Sequence, residues 1–182
     1  FELRAVDEQR RITDLGRQLA KLPVDPRLGR MLLAVQREGC LREALIVVAA
    51  LAIQDPRERP LEKQQAADEK HRRFRDEHSD FLGLVKLWEY YHEQARQLSR
   101  NQLRNLCQAD FLSFVRMREW HDLHQELLGR VTEMGMRLNE EAAPYANLHR
   151  ALLTGLLGHL GLKQEDNAYL VARGRNFCLF PG

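Results

Sequence analysis

The chain has 182 residues, of which 44% are hydrophobic and 30% charged. That supply of apolar side chains suits one buried core or two small ones and excludes an intrinsically disordered chain. A formal net charge of +2 excludes a uniformly basic surface, so a polyanion partner has to be met by local patches.

In chain order, Thr13 can N-cap a short helix over "DLGRQLAKL". "PVDPRLGRMLLAVQREGC" then restarts a helix, with Asp25 as cap, Pro26 at the first helical position and Gly39 as C-cap. "LREALIVVAALAI" is apolar nearly all round and reads as a central helix packed on every side. The loop "QDPRERP" separates it from a helix expected over Leu61 to Phe74. Ser79 or Asp80 caps "FLGLVKLWEYYHEQAR", whose Phe81, Leu84, Val85, Trp88 and Tyr91 recur at core-facing spacing. The stretch from Asn101 onward breaks near Gln108 to Asp110 and continues as a long helix with Trp120, Leu123, Leu127, Val131 and Met134 along its inward seam. Pro144 opens a last helix through "YANLHRALLTGLLGHLGL", and "NAYLVARGRNFCLFPG" carries two short β-type runs about a glycine, which predicts a hairpin.

The helix over Leu61 to Phe74 contains "ADEKHRRF", and with it the letters D-E-x-H that name a class of nucleic-acid-dependent ATPases. In such enzymes the two acids end a buried strand beside a phosphate-cradling loop. Here Glu62, Lys63, Gln64, Gln65 and two alanines favour a helix, and no G-x-x-x-x-G-K-[ST] occurs anywhere in the chain. The tetrad therefore reads as a solvated helix face, with Asp68 and Arg72, and Glu69 and Arg73, as i,i+4 pairs.

The cysteines, Cys40, Cys107 and Cys178, are far apart and form no finger or C-x-x-C pattern. They read as free thiols of a reducing, cytoplasmic compartment. None stands with an evident histidine and acid as a nucleophile would need. His121 and His124 lie three apart on one helix, but no further ligands of matching spacing accompany them, so no metal site is expected. The longest apolar run, Ala44 to Ile53, is too short to span a bilayer, and no membrane association is expected. No catalytic residue emerges.

Basic residues, by contrast, cluster. Gln94 to Ala109 holds Arg96, Arg100 and Arg104 and no acid, with Arg100 and Arg104 on one helical face. Arg116 and Arg118 continue the supply, and His71, Arg72, Arg73 and Arg75 form a second cluster. These nine are the candidate phosphate-binding residues for a nucleic-acid partner, as members of patches rather than singly, since phosphate binding is collective.

"ITDLGRQLAKLPVDPRLGRMLL", "GCLREALIVVAALAIQDPRERPLEKQQAADEKHRRF", "SDFLGLVKLW" and "FLSFVRMREWHDLHQEL" closely resemble, in order and spacing, the C-terminal accessory region of DEAH/RHA-type RNA helicases, and "DEKHRRF", "SDFL" and "REW" look most like its bacterial members. The resemblance covers nearly the whole chain. It implies a mainly α fold: the end of a winged helix over residues 1–38, a ratchet-like helical bundle over 39–160, and the first strands of an OB-fold over 161–182, which Gly182 would leave truncated. It further implies a longer protein that is an ATP-dependent RNA helicase moving 3′ to 5′, with ATP and magnesium bound by lobes outside this region. This chain alone would bind no cofactor and hydrolyse nothing. Its partners would be single-stranded RNA and those ATPase lobes. Many eukaryotic relatives carry paired basic residues where this chain has Arg118 and Glu119, so only Arg118 carries over. Two functions stay open: an RNA-binding accessory module that closes the strand channel, or a scaffold whose helices dock other lobes or a regulatory partner without touching RNA.

Overall fold

The computed structural model describes residues 4–164, 168–171 and 174–178. Among them are eight α-helices and one small sheet: α1 (Asp14–Leu19), α2 (Pro26–Glu38), α3 (Leu41–Leu51), α4 (Gln64–Arg72), α5 (Asp80–Gln97), α6 (Arg100–Ala109), α7 (Phe114–Glu133), α8 (Tyr145–Leu153), then β1 (Gly161–Lys163), β2 (Ala168–Val171) and β3 (Arg175–Cys178).

The helix ends follow their local chemistry. The Thr13 hydroxyl accepts from the Gly16 amide, and Asp25 accepts from the Arg27 amide with Pro26 opening α2. Gly39 closes α2 in the left-handed region at φ 62°. Ser79, rather than Asp80, caps α5, and Ser99 and Gln102 form a reciprocal capping box at the start of α6.

α3 is the axis of the molecule. It packs against α2, α5, α7 and α8, and every residue from Ala44 to Ala50 is buried. α2 packs against both α3 and the returning α8, with Met31, Leu32 and Val35 buried, so residues 26–38 are joined to the bundle on two sides. On the far side Trp88 of α5 and Trp120 of α7 close the core, their rings 5.2 Å apart and tilted by 56°. One buried acid, Glu43 of α3, receives hydrogen bonds from Arg42, Asn139 and the Ala143 amide, which fixes the segment between α7 and α8.

Several expected helices are shorter than their sequence patterns, α1 ending at Leu19 rather than Leu22. Leu61–Lys63 is a single 3-10 turn before α4 begins. α8 stops at Leu153, and Gly155 follows in close contact with α2, where a Cβ would lie 2.3 Å from the Arg27 carbonyl oxygen. Only glycine permits that approach, and the chain turns there instead of continuing the helix.

The sheet is antiparallel in the order β1-β2-β3, with Leu162 opposite Leu170 and Tyr169 opposite Phe177. β2 and β3 form the expected hairpin, with Gly174 at φ 69° in its turn. β1 is an addition, since three residues carry too little alternation to be read as a strand. Cys40 and Cys107 are free and buried, while the side chain of Cys178 lies outside the described residues. No helix of the described residues is long and apolar enough to cross a membrane.

Candidate nucleic-acid interface

Three elements meet beside α3. The loop after it is pinned to the α6–α7 turn by backbone bonds, Glu58 amide to Phe111 carbonyl and Ser113 amide to Pro56 carbonyl, each 2.8 Å. Asp55 holds the Arg57 guanidinium by a forked contact and offers its carbonyl to Arg116 at 3.1 Å. Between this loop, α6 and the first half of α7 lies an open groove of about 1220 Å³.

Its α6 wall carries Arg100 and Arg104, one helical turn apart, with Gln108 a turn further on. Its α7 wall carries Arg118, then Glu119, Asp122 and Glu126. Apolar side chains line it between them: Ile53, Phe114 and Leu123 are half-buried, and Val115 is 73% exposed. Arg100, Arg104 and Arg118 are all exposed and form no ion pair among the described residues, whereas Arg57, Arg59 and Arg73 nearby are each engaged. Three cations thus face one concave surface with their hydrogen-bond donors unspent, an arrangement able to take phosphate oxygens.

The other candidates stand elsewhere. Arg116 is half-buried and held by Asp55. Arg96 is exposed near the end of α5, outside the groove. The cluster on and after α4 is largely engaged within the fold. The His71 Nε2–H donates to the carbonyl oxygens of Asp110 and Phe111, 3.1 Å each, and Arg72 pairs with Glu69. Arg73 pairs with Asp110 and lies over the Tyr90 ring at 4.2 Å. Arg75 is exposed and unpaired among the described residues.

The expected pairs within the tetrad are replaced by others. Asp68 is gripped by Arg59 from the preceding loop at 2.7 and 2.8 Å, and Arg73 turns to Asp110 instead of Glu69. Asp110 is only 2% exposed and also takes Tyr90 at 2.6 Å and Lys70 at 3.3 Å. Burial pushes its carboxyl upward, but the bonds from Tyr90 and Arg73 and the Arg73 charge outweigh that and hold it below the usual range. A desolvated carboxylate outcompetes an exposed one for a nearby cation, which explains the exchange. Glu69→Gln should accordingly shift stability by under about 0.5 kcal/mol. A loss above about 1 kcal/mol in chemical denaturation would show that Glu69 carries a contact beyond its exposed pair with Arg72.

Histidine chemistry also departs from expectation, because the partner of His121 comes from α5. His92 donates from Nδ1 to the Trp88 carbonyl at 2.9 Å, and its Nε2 then accepts from the His121 Nδ1–H at 2.9 Å. Trp88 packs between this pair and His124, with ring centroids 3.9 Å from His92 and 4.5 Å from His124. Among the described residues no group of three or more His, Cys, Asp or Glu side chains is arranged to hold a metal. Burial, with the neighbouring imidazoles, lowers the pKa of His124 to about 4, and burial lowers that of His92 as well. The folded state therefore binds these protons less readily than the unfolded chain. Stability is whole above pH 6.5 and falls as pH drops towards 4, by roughly 3 kcal/mol for His124. Urea midpoints measured across that range should slope more steeply for the natural chain than for His124→Leu, and equal slopes would refute the assignment.

Asp122 and Glu126 join Glu119 on one face of α7 by helical spacing alone, a signal the basic clusters leave out, whereas the exposure of Phe114 and Val115 depends on the turn at Asp110.

Comparison with known proteins bears on this geometry. Residues 1–24 match the winged-helix family of the helicase-associated domain HA2, and residues 25–84 match its ratchet-like family. The chain is 55% identical over 173 residues to the ATP-dependent RNA helicase HrpA of Escherichia coli, covering 94% of this chain and 13% of that protein. It is 54% identical over 175 residues to the HrpA homolog of Haemophilus influenzae, covering 96% of this chain and 13% of that protein. To the human ATP-dependent DNA/RNA helicase DHX36 it is 35% identical over 124 residues, 68% of this chain and 12% of that protein. The chain thus spans about an eighth of the length of the curated relatives it matches.

Proposed function

We propose that this chain, which belongs to the HA2 helicase-associated region of DEAH-type helicases and carries its winged-helix and ratchet-like parts, is the RNA-binding accessory module of a cytoplasmic ATP-dependent helicase moving 3′ to 5′. In this reading the bundle closes the single-strand channel opposite the ATPase lobes, which lie outside the chain and bind ATP and magnesium. The β1–β3 sheet is then the start of an OB-fold.

One observation carries the reading: Arg100, Arg104 and Arg118 converge on a single groove and keep their charges unpaired among the described residues. A motor strand needs a surface that holds the backbone between strokes without reading sequence tightly, and that takes cations for phosphates and flat or apolar surfaces for unstacked bases. The arginines supply the first and Phe114 the second. Arg116, Arg96 and the cluster at His71, Arg72, Arg73 and Arg75 lie outside this surface, so the groove arginines carry the proposal.

A second reading, a docking scaffold without RNA contact, draws on the apolar exposure at the same place, Val115 at 73%. Titration of the chain with single-stranded RNA over a range of salt separates the two. Three phosphate contacts predict a slope of log affinity against log salt near about −2. Absence of RNA binding at low salt would favour the scaffold.

A further inference from the structure

The groove is not uniformly basic. Its α6 wall presents only arginine and amide side chains, while Glu119, Asp122 and Glu126 follow one another at i, i+3 and i+7 along the α7 wall. All three carboxylates are exposed, and none is engaged by Arg100, Arg104 or Arg118 within ion-pair distance among the described residues. A groove built only to attract phosphate gains nothing from such a row, because carboxylates repel the backbone they face.

Resting on the RNA reading above, we infer that the two walls divide the strand between them: Arg100 and Arg104 take the phosphates, and the α7 carboxylates take base edges, so that the groove favours bases presenting amino groups, cytosine, guanine and adenine, over uracil. An ionised carboxylate only accepts hydrogen bonds. The cytosine N4 amino group and the adjacent N1–H and N2 amino group of guanine donate to it. The Watson–Crick edge of uracil offers one N3–H between two carbonyl oxygens, which a carboxylate opposes. Single-stranded RNA leaves those edges free to be read. The apolar side chains between the walls, Phe114 among them, give the unstacked bases a surface on which to rest while their edges face α7. Arg118 stands at the head of the acidic wall and can meet a phosphate at the groove's end without disturbing this division.

Oligocytidine and oligouridine of roughly 12 nucleotides compare the two edges on rings of the same size. The natural chain at neutral pH should bind the cytidine strand about fivefold tighter. In a Glu119→Gln, Asp122→Asn, Glu126→Gln variant the amides both donate and accept, so the two strands should bind alike, and both more tightly than to the natural chain because backbone repulsion is relieved. All three substitutions fall on exposed positions, so the fold is retained. Equal binding of both strands by the natural chain overturns the inference, as does a cytidine preference that survives in the amide variant. If in either case affinity still depends on Arg100 and Arg104, the RNA reading stands and the base preference alone falls. If Arg100→Gln with Arg104→Gln leaves affinity for both strands unchanged, the reading of the groove falls with it.

Discussion

Trp120→Ala lowers the stability of the fold by about 3–5 kcal/mol, as expected for truncating a large aromatic in a closed core. The residue is fully buried, at 0% exposure, where α7 packs on α3 and faces Trp88 of α5. Its indole Nε1–H donates to the Ile46 carbonyl of α3 at 2.9 Å, and its ring meets Trp88 at 5.2 Å. Alanine would remove both contacts and leave a void between helices held rigidly on three sides. Trp120→Phe, which keeps most of the apolar surface and loses the hydrogen bond, should cost about 1–2 kcal/mol. Chemical denaturation measures both. A loss below about 1 kcal/mol for the alanine variant would place the ring outside the core and make it a candidate surface for stacked bases or for docking.

The helical frame was legible because it rests on local rules. Thr13, Asp25, Pro26 and Gly39 mark helix ends by chemistry that acts within four residues, and the apolar run from Ala44 admits little except a helix buried on every side. The inward seam of α7 was correct at Trp120, Leu127 and Val131, which are buried, and less complete at Leu123 and Met134, which stay half-buried at its margins. The ion pairs of the D-E-K-H tetrad were not legible. Arg59 reaches Asp68 across nine residues of chain, and Arg73 reaches Asp110 through the fold, so only tertiary structure decides which carboxylate wins. The same holds for the histidines, since His92 and His121 lie on different helices and meet only when α5 and α7 pack.

The basic patch shows the same division. Arg100 and Arg104 were placed on one face by helical spacing alone. Their convergence with Arg118, and the diversion of Arg116 to the Asp55 carbonyl, follow from the turn at Asp110 and from the loop pinned to it. Periodicity describes one helix at a time, and a groove is made by two.

On the proposed function, Arg100, Arg104 and Arg118 bind RNA phosphates together. Replacing all three by glutamine keeps side-chain length and helix propensity at exposed positions, so the core is untouched. Each lost contact removes about 0.7 from the salt slope for a single strand, so the triple variant should flatten it by about 2 and lower affinity on the order of tenfold to a hundredfold at 0.15 M salt. Arg37→Gln with Arg137→Gln, exposed arginines outside the groove, should leave the slope in place. On the proposed helicase reading, the triple variant of the longer protein should also impair unwinding while ATPase activity without RNA is kept. The decisive measurement is the salt dependence of single-stranded RNA affinity for the natural chain and the triple variant side by side: a slope shallower by about 2 supports the channel, and an unchanged slope would make these arginines a solvated face and transfer the groove to the docking scaffold.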